Sequence, residues 1–179
     1  MTSVASSDPN CDPSGMPLTE RVQRRLATSQ SYERASDRLG GFLDDFGPSQ
    51  PILSALALEV RLKALLLAYG QSTNISHSYS CGWSALPCEV RKDIISRAEE
   101  RYAGHVDYGD LKKLLDDAER TFVAYRYDYE VNEARSADEI GIASDNWANP
   151  DFEFHPMEIK GLLDGMEKHL KEWIERSHS

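Results

Sequence analysis

Apolar residues recur at three- and four-residue steps along most of this chain, the spacing that gathers them on one face of a helix. The clearest run is Leu111, Leu115, Ala118, Phe122, Tyr125 and Tyr129. It passes through FVAYRYDYE, 122–130, where tyrosines also alternate with charged residues as they would in a half-buried strand. The helical stripe enters and leaves that stretch, so it predicts one helix over 108–135. Tyr127 falls off the stripe, and Arg126 stands four residues from both Phe122 and Glu130. Val90, Ile94 and Ala98 predict a helix over 86–104, opened at Pro87 and stopped at Gly104. Ile159, Leu162, Met166, Leu170 and Trp173 predict a final helix over 157–179. The segment 50–69 is apolar nearly all round, the mark of a central element, and Gly70 is placed to end it. The first helix, 18–47, is the least regular. Val22, Leu26, Tyr32, Ala35 and Leu39 make a rough face broken by a polar patch at 28–31, and Gly40-Gly41 ends or kinks it.

Between these segments, 71–85 reads as a polar loop with at most a short helical turn, and 136–156 as a long loop with two turn signals. Residues 1–17 are rich in Ser, Pro and Asp and read as a disordered tail. No stretch makes a convincing strand and no repeat is evident. The expected fold is all-α, an antiparallel bundle of about five helices in a single domain over 18–179.

Composition narrows the function classes. With 179 residues, the chain can bury about 70% of its unfolded surface without metal or disulfide support. The formal charge of −10 gives no general attraction to DNA, RNA or an anionic membrane. Any RNA contact needs a local pocket acting against the global field, and general DNA binding is not expected. Three cysteines, Cys11, Cys81 and Cys88, are too few and too scattered for a disulfide framework, so a cytoplasmic setting is expected. The most apolar run, 51–69, carries Glu59, Arg61 and Lys63 at its middle. Each charge at a bilayer centre costs at least ~2.5 kcal/mol, so this is a buried helix and no membrane association is expected.

Candidate chemistry is sparse. His77, Cys81 and Cys88 lack the fourth ligand of a zinc site, and neither a nucleophile elbow nor a phosphate-cradling glycine loop is present. No metal or cofactor is expected. Glu59 stands out as a carboxylate in an otherwise apolar helix. It must pair or line a cleft. Lys63, four residues on, is one partner; Arg126, on the neighbouring helix, is another, through a bidentate contact. Tyr125 and Tyr129 continue the core stripe, which leaves Tyr127 as the ring with a chance of exposure. The candidate binding cleft is Glu59, Lys63, Arg126, Tyr127 and Asn132.

ALEVRLKALLLAYG at 57–70, a loop holding His77, ALPCEVRKDI at 85–94 and FVAYRYDYE at 122–130 occur in an order that resembles the HEPN superfamily (higher eukaryotes and prokaryotes nucleotide-binding domain). The likeness is to bacterial members with an ALE-x-x-LKALL helix followed by an F-x-x-x-RY-x-YE helix, and it spans roughly 50–135. The resemblance implies an antiparallel helical bundle, often dimeric. It also implies, for many active relatives, a metal-independent ribonuclease of toxin–antitoxin or phage-defence systems. Their signature is an arginine followed after four to six residues by a histidine. Here Arg126 fits the arginine position, but Val131, Asn132 and Glu133 stand where the histidine belongs. Arg101 and His105 have only three residues between them. The expectation is therefore a non-catalytic HEPN-like module that binds RNA, a nucleotide or a partner protein through the cleft near Glu59 and Arg126, with a homodimer expected. The alternatives are a structural or regulatory protein that dimerises through the apolar seam of 157–175, and an active ribonuclease.

Overall fold

A computed structural model describes residues 15–40, 49–126 and 154–178, the side chains of 124–126 excepted. Six helices and no strand occur among the described residues: α1 (Leu18–Leu39), α2 (Ser49–Ala68), α3 (Tyr79–Ala85), α4 (Cys88–Arg101), α5 (Leu111–Arg126) and α6 (Pro156–Ser177). The fold is all-α, as the periodicity predicts. The additional element is α3, where the sequence supports no more than a short turn. Residues 127–135 of the predicted 108–135 helix, 136–153 of the predicted loop and 1–14 of the tail lie outside the described residues, while Pro156, placed in the loop by the sequence, opens α6.

Helix α2 is the hub, in contact with α1, α3, α5 and α6, while α4 packs on α6. Its all-round apolar composition has this cause: Ala55, Ala57, Leu58, Leu62, Ala64, Leu65 and Leu66 have no exposure at all. Gly70 ends it in a Schellman arrangement. Gly70 takes φ +66°, its N–H bonds to the Leu67 carbonyl at 3.2 Å, and the Gln71 N–H reaches back to Leu66 at 2.8 Å. No described helix is long and apolar enough to cross a membrane.

The face of α1 differs from the expected one. Its buried residues are Val22, Leu26, Ser29, Glu33 and Ser36, while Tyr32, Ala35 and Leu39 are only half-buried. The stripe does not break at the polar patch; it continues through it with polar side chains. Ser29 Oγ donates to the Ala57 carbonyl at 2.7 Å. Ser36 Oγ lies 3.0 Å from the Gln50 carbonyl and 2.7 Å from Ser54 Oγ. Small hydroxyls bonded to the facing backbone let α1 lie close along α2 with Ser29 and Ser36 both hydrogen-bonded.

The apolar seam of α6 is buried in the chain's own core. Ile159, Leu162, Leu163, Met166 and Leu170 are at most 2% exposed. Of the seam named for dimerisation, Met157 is exposed and Trp173 and Ile174 are half-buried. On the α4 side, Gly165 permits contact closer than any side chain would allow: a Cβ there would stand 2.5 Å from the Ile94 carbonyl oxygen.

Candidate functional site

Two polar groups of α2, two residues apart, organise the interior. Arg61 is completely buried. Its Nη1 donates to the Leu163 carbonyl and its Nη2 to Glu33 Oε2, each at 2.7 Å, with Glu167 at 3.7 Å. Glu33 Oε1 in turn accepts from Lys160 Nζ at 2.7 Å, and Lys160 also reaches Asp37 at 3.0 Å. This chain of charges ties α1, α2 and α6 together. Arg61 is thus an arginine clasp between helices, a role that the sequence analysis did not assign to it. The sequence carries a signal for it, an arginine within LALEVRLKALLL, but nothing local names its partners.

Glu59 faces the other way, toward the 71–78 loop, α3 and α5. Its Oε1 accepts from Lys63 Nζ at 2.5 Å, so the predicted i,i+4 pair forms. Its Oε2 meets His77 Nδ1 at 2.8 Å and the Tyr79 hydroxyl at 3.3 Å. Tyr79 also donates to the Ala55 carbonyl at 3.2 Å. The carboxylate side chain is 4% exposed, whereas His77 is 46% exposed and Lys63 29%. A buried anion thus carries two partly solvated partners. Burial by itself would raise the Glu59 carboxyl, but the hydrogen bonds from Lys63 and His77 outweigh it and hold the group below its ordinary value. Burial pushes the Tyr79 phenol well up, with the Glu59 charge adding to the effect.

Loop geometry places His77. Ile75 is buried and packs where Gly82 leaves room, since a Cβ on Gly82 would lie 3.0–3.2 Å from Leu62 and Ile75. Pinned there, the chain turns through two left-handed residues, Ser76 at φ 45° and His77 at φ 68°. Neither is glycine, and such backbone persists only where surrounding contacts hold it. The imidazole then lies against Phe122 of α5, ring centroids 5.2 Å apart and planes inclined by 33°. On α5, Glu119 accepts the Tyr79 backbone N–H; burial first, then the Asp116 charge, raise its carboxyl.

Of the expected cleft residues, Glu59 and Lys63 meet. Arg126 is the last described residue of α5, one helical turn beyond Phe122, and its side chain lies outside the described part. Tyr127 and Asn132 also lie outside the described residues. Both Glu59 oxygens are engaged by His77, Tyr79 and Lys63, so its observed partners come from α2, the loop and α3. Arg101 and His105 do not form a pair: α4 ends at Arg101, whose Nε bonds Asp164 at 2.7 Å, and His105 follows in an exposed turn. His77 is the residue that sequence reasoning passed over. A lone histidine in a polar loop carries no periodic signal, and its Glu59 partner lies 18 residues away.

Two further histidine–carboxylate contacts occur. His169 of α6 bridges Asp93 of α4 at 2.6 Å and the Tyr69 hydroxyl at 2.7 Å. His155 Nε2 lies 3.3 Å from Asp117 of α5. His169 is buried, and it links helix ends as a structural relay. Among the described residues no three His, Cys, Asp or Glu side chains converge as a metal ion requires, and Cys81 and Cys88 are free thiols. No family model, curated protein or solved structure matches the chain, so the HEPN resemblance rests on its sequence motifs alone.

Proposed function

We propose that this chain is a non-catalytic, HEPN-like helical module that binds a ribonucleotide, free or within RNA, at the surface around His77 and Lys63, backed from within by the buried Glu59 and Phe122, with Arg126 next along α5. The observation that carries this reading is His77: a half-exposed imidazole, held on a strained loop by a buried carboxylate and laid against an aromatic ring. Orienting an imidazole in this way has a use when its free edge meets a ligand. A half-exposed histidine ring is also a common stacking partner for nucleobases. The acidic net charge favours a single nucleotide or a short segment over a long tracked polyanion. Resemblance to a nucleotide-binding superfamily points the same way.

Calorimetric titration with the ribonucleotides and with a short single-stranded oligoribonucleotide tests this. Saturable binding is expected, lost in His77→Ala, with the oligonucleotide recovered intact. Absence of saturable binding at millimolar ligand would overturn the nucleotide reading in favour of a protein partner. Cleavage by clean protein, abolished by His77→Ala, would overturn the non-catalytic one.

A further inference from the structure

The free edge of His77 has a definite chemistry. Glu59, held below its ordinary carboxyl value, supplies no proton to its 2.8 Å contact with Nδ1. The hydrogen in that contact therefore belongs to the imidazole. In the neutral ring this assigns Nδ1–H and leaves Nε2 as an acceptor. Nε2 has no hydrogen-bond partner among the described residues, and the ring is half exposed.

The charges around it are balanced. On α2, Glu59 is matched by Lys63. On α5, Asp116 is matched by Lys112, and Glu119 lies beside His77 with Arg120 next to it in the chain. Phe122 and Tyr79 lie buried behind the imidazole, the one against its ring and the other with a phenol already bonded to Glu59 and Ala55. Among the described side chains no surplus of positive charge gathers here to hold a phosphate. What the described surface offers is one oriented acceptor on a half-exposed imidazole.

We propose that His77 is a specificity-determining residue that accepts a hydrogen bond from the exocyclic amino group of a nucleobase. This rests on the nucleotide-binding reading above. The ligand class is an amino-bearing base, adenine or cytosine for example, recognised by its edge while the phosphate contributes little. A site built to accept an N–H rejects an analogue that lacks it, because the acceptor then loses both water and partner.

The test compares adenosine with purine riboside, which lacks the amino group, and adenosine with its monophosphate. Adenosine is expected to bind about tenfold more tightly than purine riboside, and its monophosphate within about threefold of adenosine. His77→Phe keeps a ring and removes the acceptor. It should bring adenosine down to the level of purine riboside and leave purine riboside unchanged. His77→Gln, which keeps an acceptor, should retain part of the preference. Equal binding of the two nucleosides, equal loss of both in His77→Phe, or a monophosphate more than tenfold tighter than adenosine would each overturn the inference and leave the nucleotide reading standing. If no nucleoside or nucleotide binds at all, both fall.

Discussion

Glu59 and Arg61 stand two residues apart on one helix, and each is a buried charge, yet the regions they organise are opposite in character. Arg61 is sealed: its partners are Glu33, Glu167 and a carbonyl of α6, and it has no exposure. Glu59 is buried itself, but His77 and Lys63 lead from it to solvent. A sealed charge holds helices together and can meet nothing else. A charge whose partners reach solvent can fix a side chain that a ligand would touch. Ionic residues in a core are therefore informative through where their partners end, more than through their own burial.

Breaking the sealed region should have the largest effect. Glu33→Ala leaves the Arg61 guanidinium with Glu167 at 3.7 Å as its remaining carboxylate. Stranding a buried charge in this way costs about 3–5 kcal/mol, to be read from urea denaturation midpoints with an unchanged slope. A loss under about 1 kcal/mol, typical of an exposed pair, would show that the clasp carries little.

Glu59→Gln should cost less, about 1–2 kcal/mol, because Lys63 and His77 can turn to water and Tyr79 keeps the Ala55 carbonyl. The loss should depend on pH. The folded-state Glu59 value is depressed, so its contribution is complete above the ordinary carboxyl value, about pH 4.3. It disappears as pH falls from there through the lower folded value. Wild type and Glu59→Gln should converge in stability in strong acid and separate toward neutrality; parallel curves would contradict the assignment.

The open region should tolerate change at its surface. Ser76→Gly relieves a left-handed residue with an exposed side chain and should raise stability by about 0.5–1 kcal/mol in thermal or urea unfolding. His77→Ala should change stability least, by about 1 kcal/mol or less, since the ring is nearly half solvated. A Ser76→Gly protein that is less stable would mean that the loop depends on a contact of Ser76 itself. A His77→Ala loss comparable with that of Glu33→Ala would make His77 part of the core and end the contrast.

What the sequence by itself determined is local. The 3.6-residue period of apolar side chains marks α4, α5 and α6, and an all-round apolar run marks α2, because both depend only on neighbours within two turns. Gly70 announces its helix end because a left-handed residue is easiest for glycine, and the Glu59–Lys63 pair is visible because its partners are four residues apart. Tertiary structure decided the rest. Ser29 falls in what looks like a break in the α1 stripe, and Glu33 and Ser36 fall off the expected apolar face, until α2 supplies carbonyls and a guanidinium for them. Arg61 finds Glu33 at 28 residues' separation and Leu163 at 102. His77 meets Glu59 only after Ile75 and Gly82 have seated the loop. Apolar burial is nondirectional and leaves a pattern in the chain, whereas a buried polar group needs one particular partner, which can come from any helix that docking brings within reach.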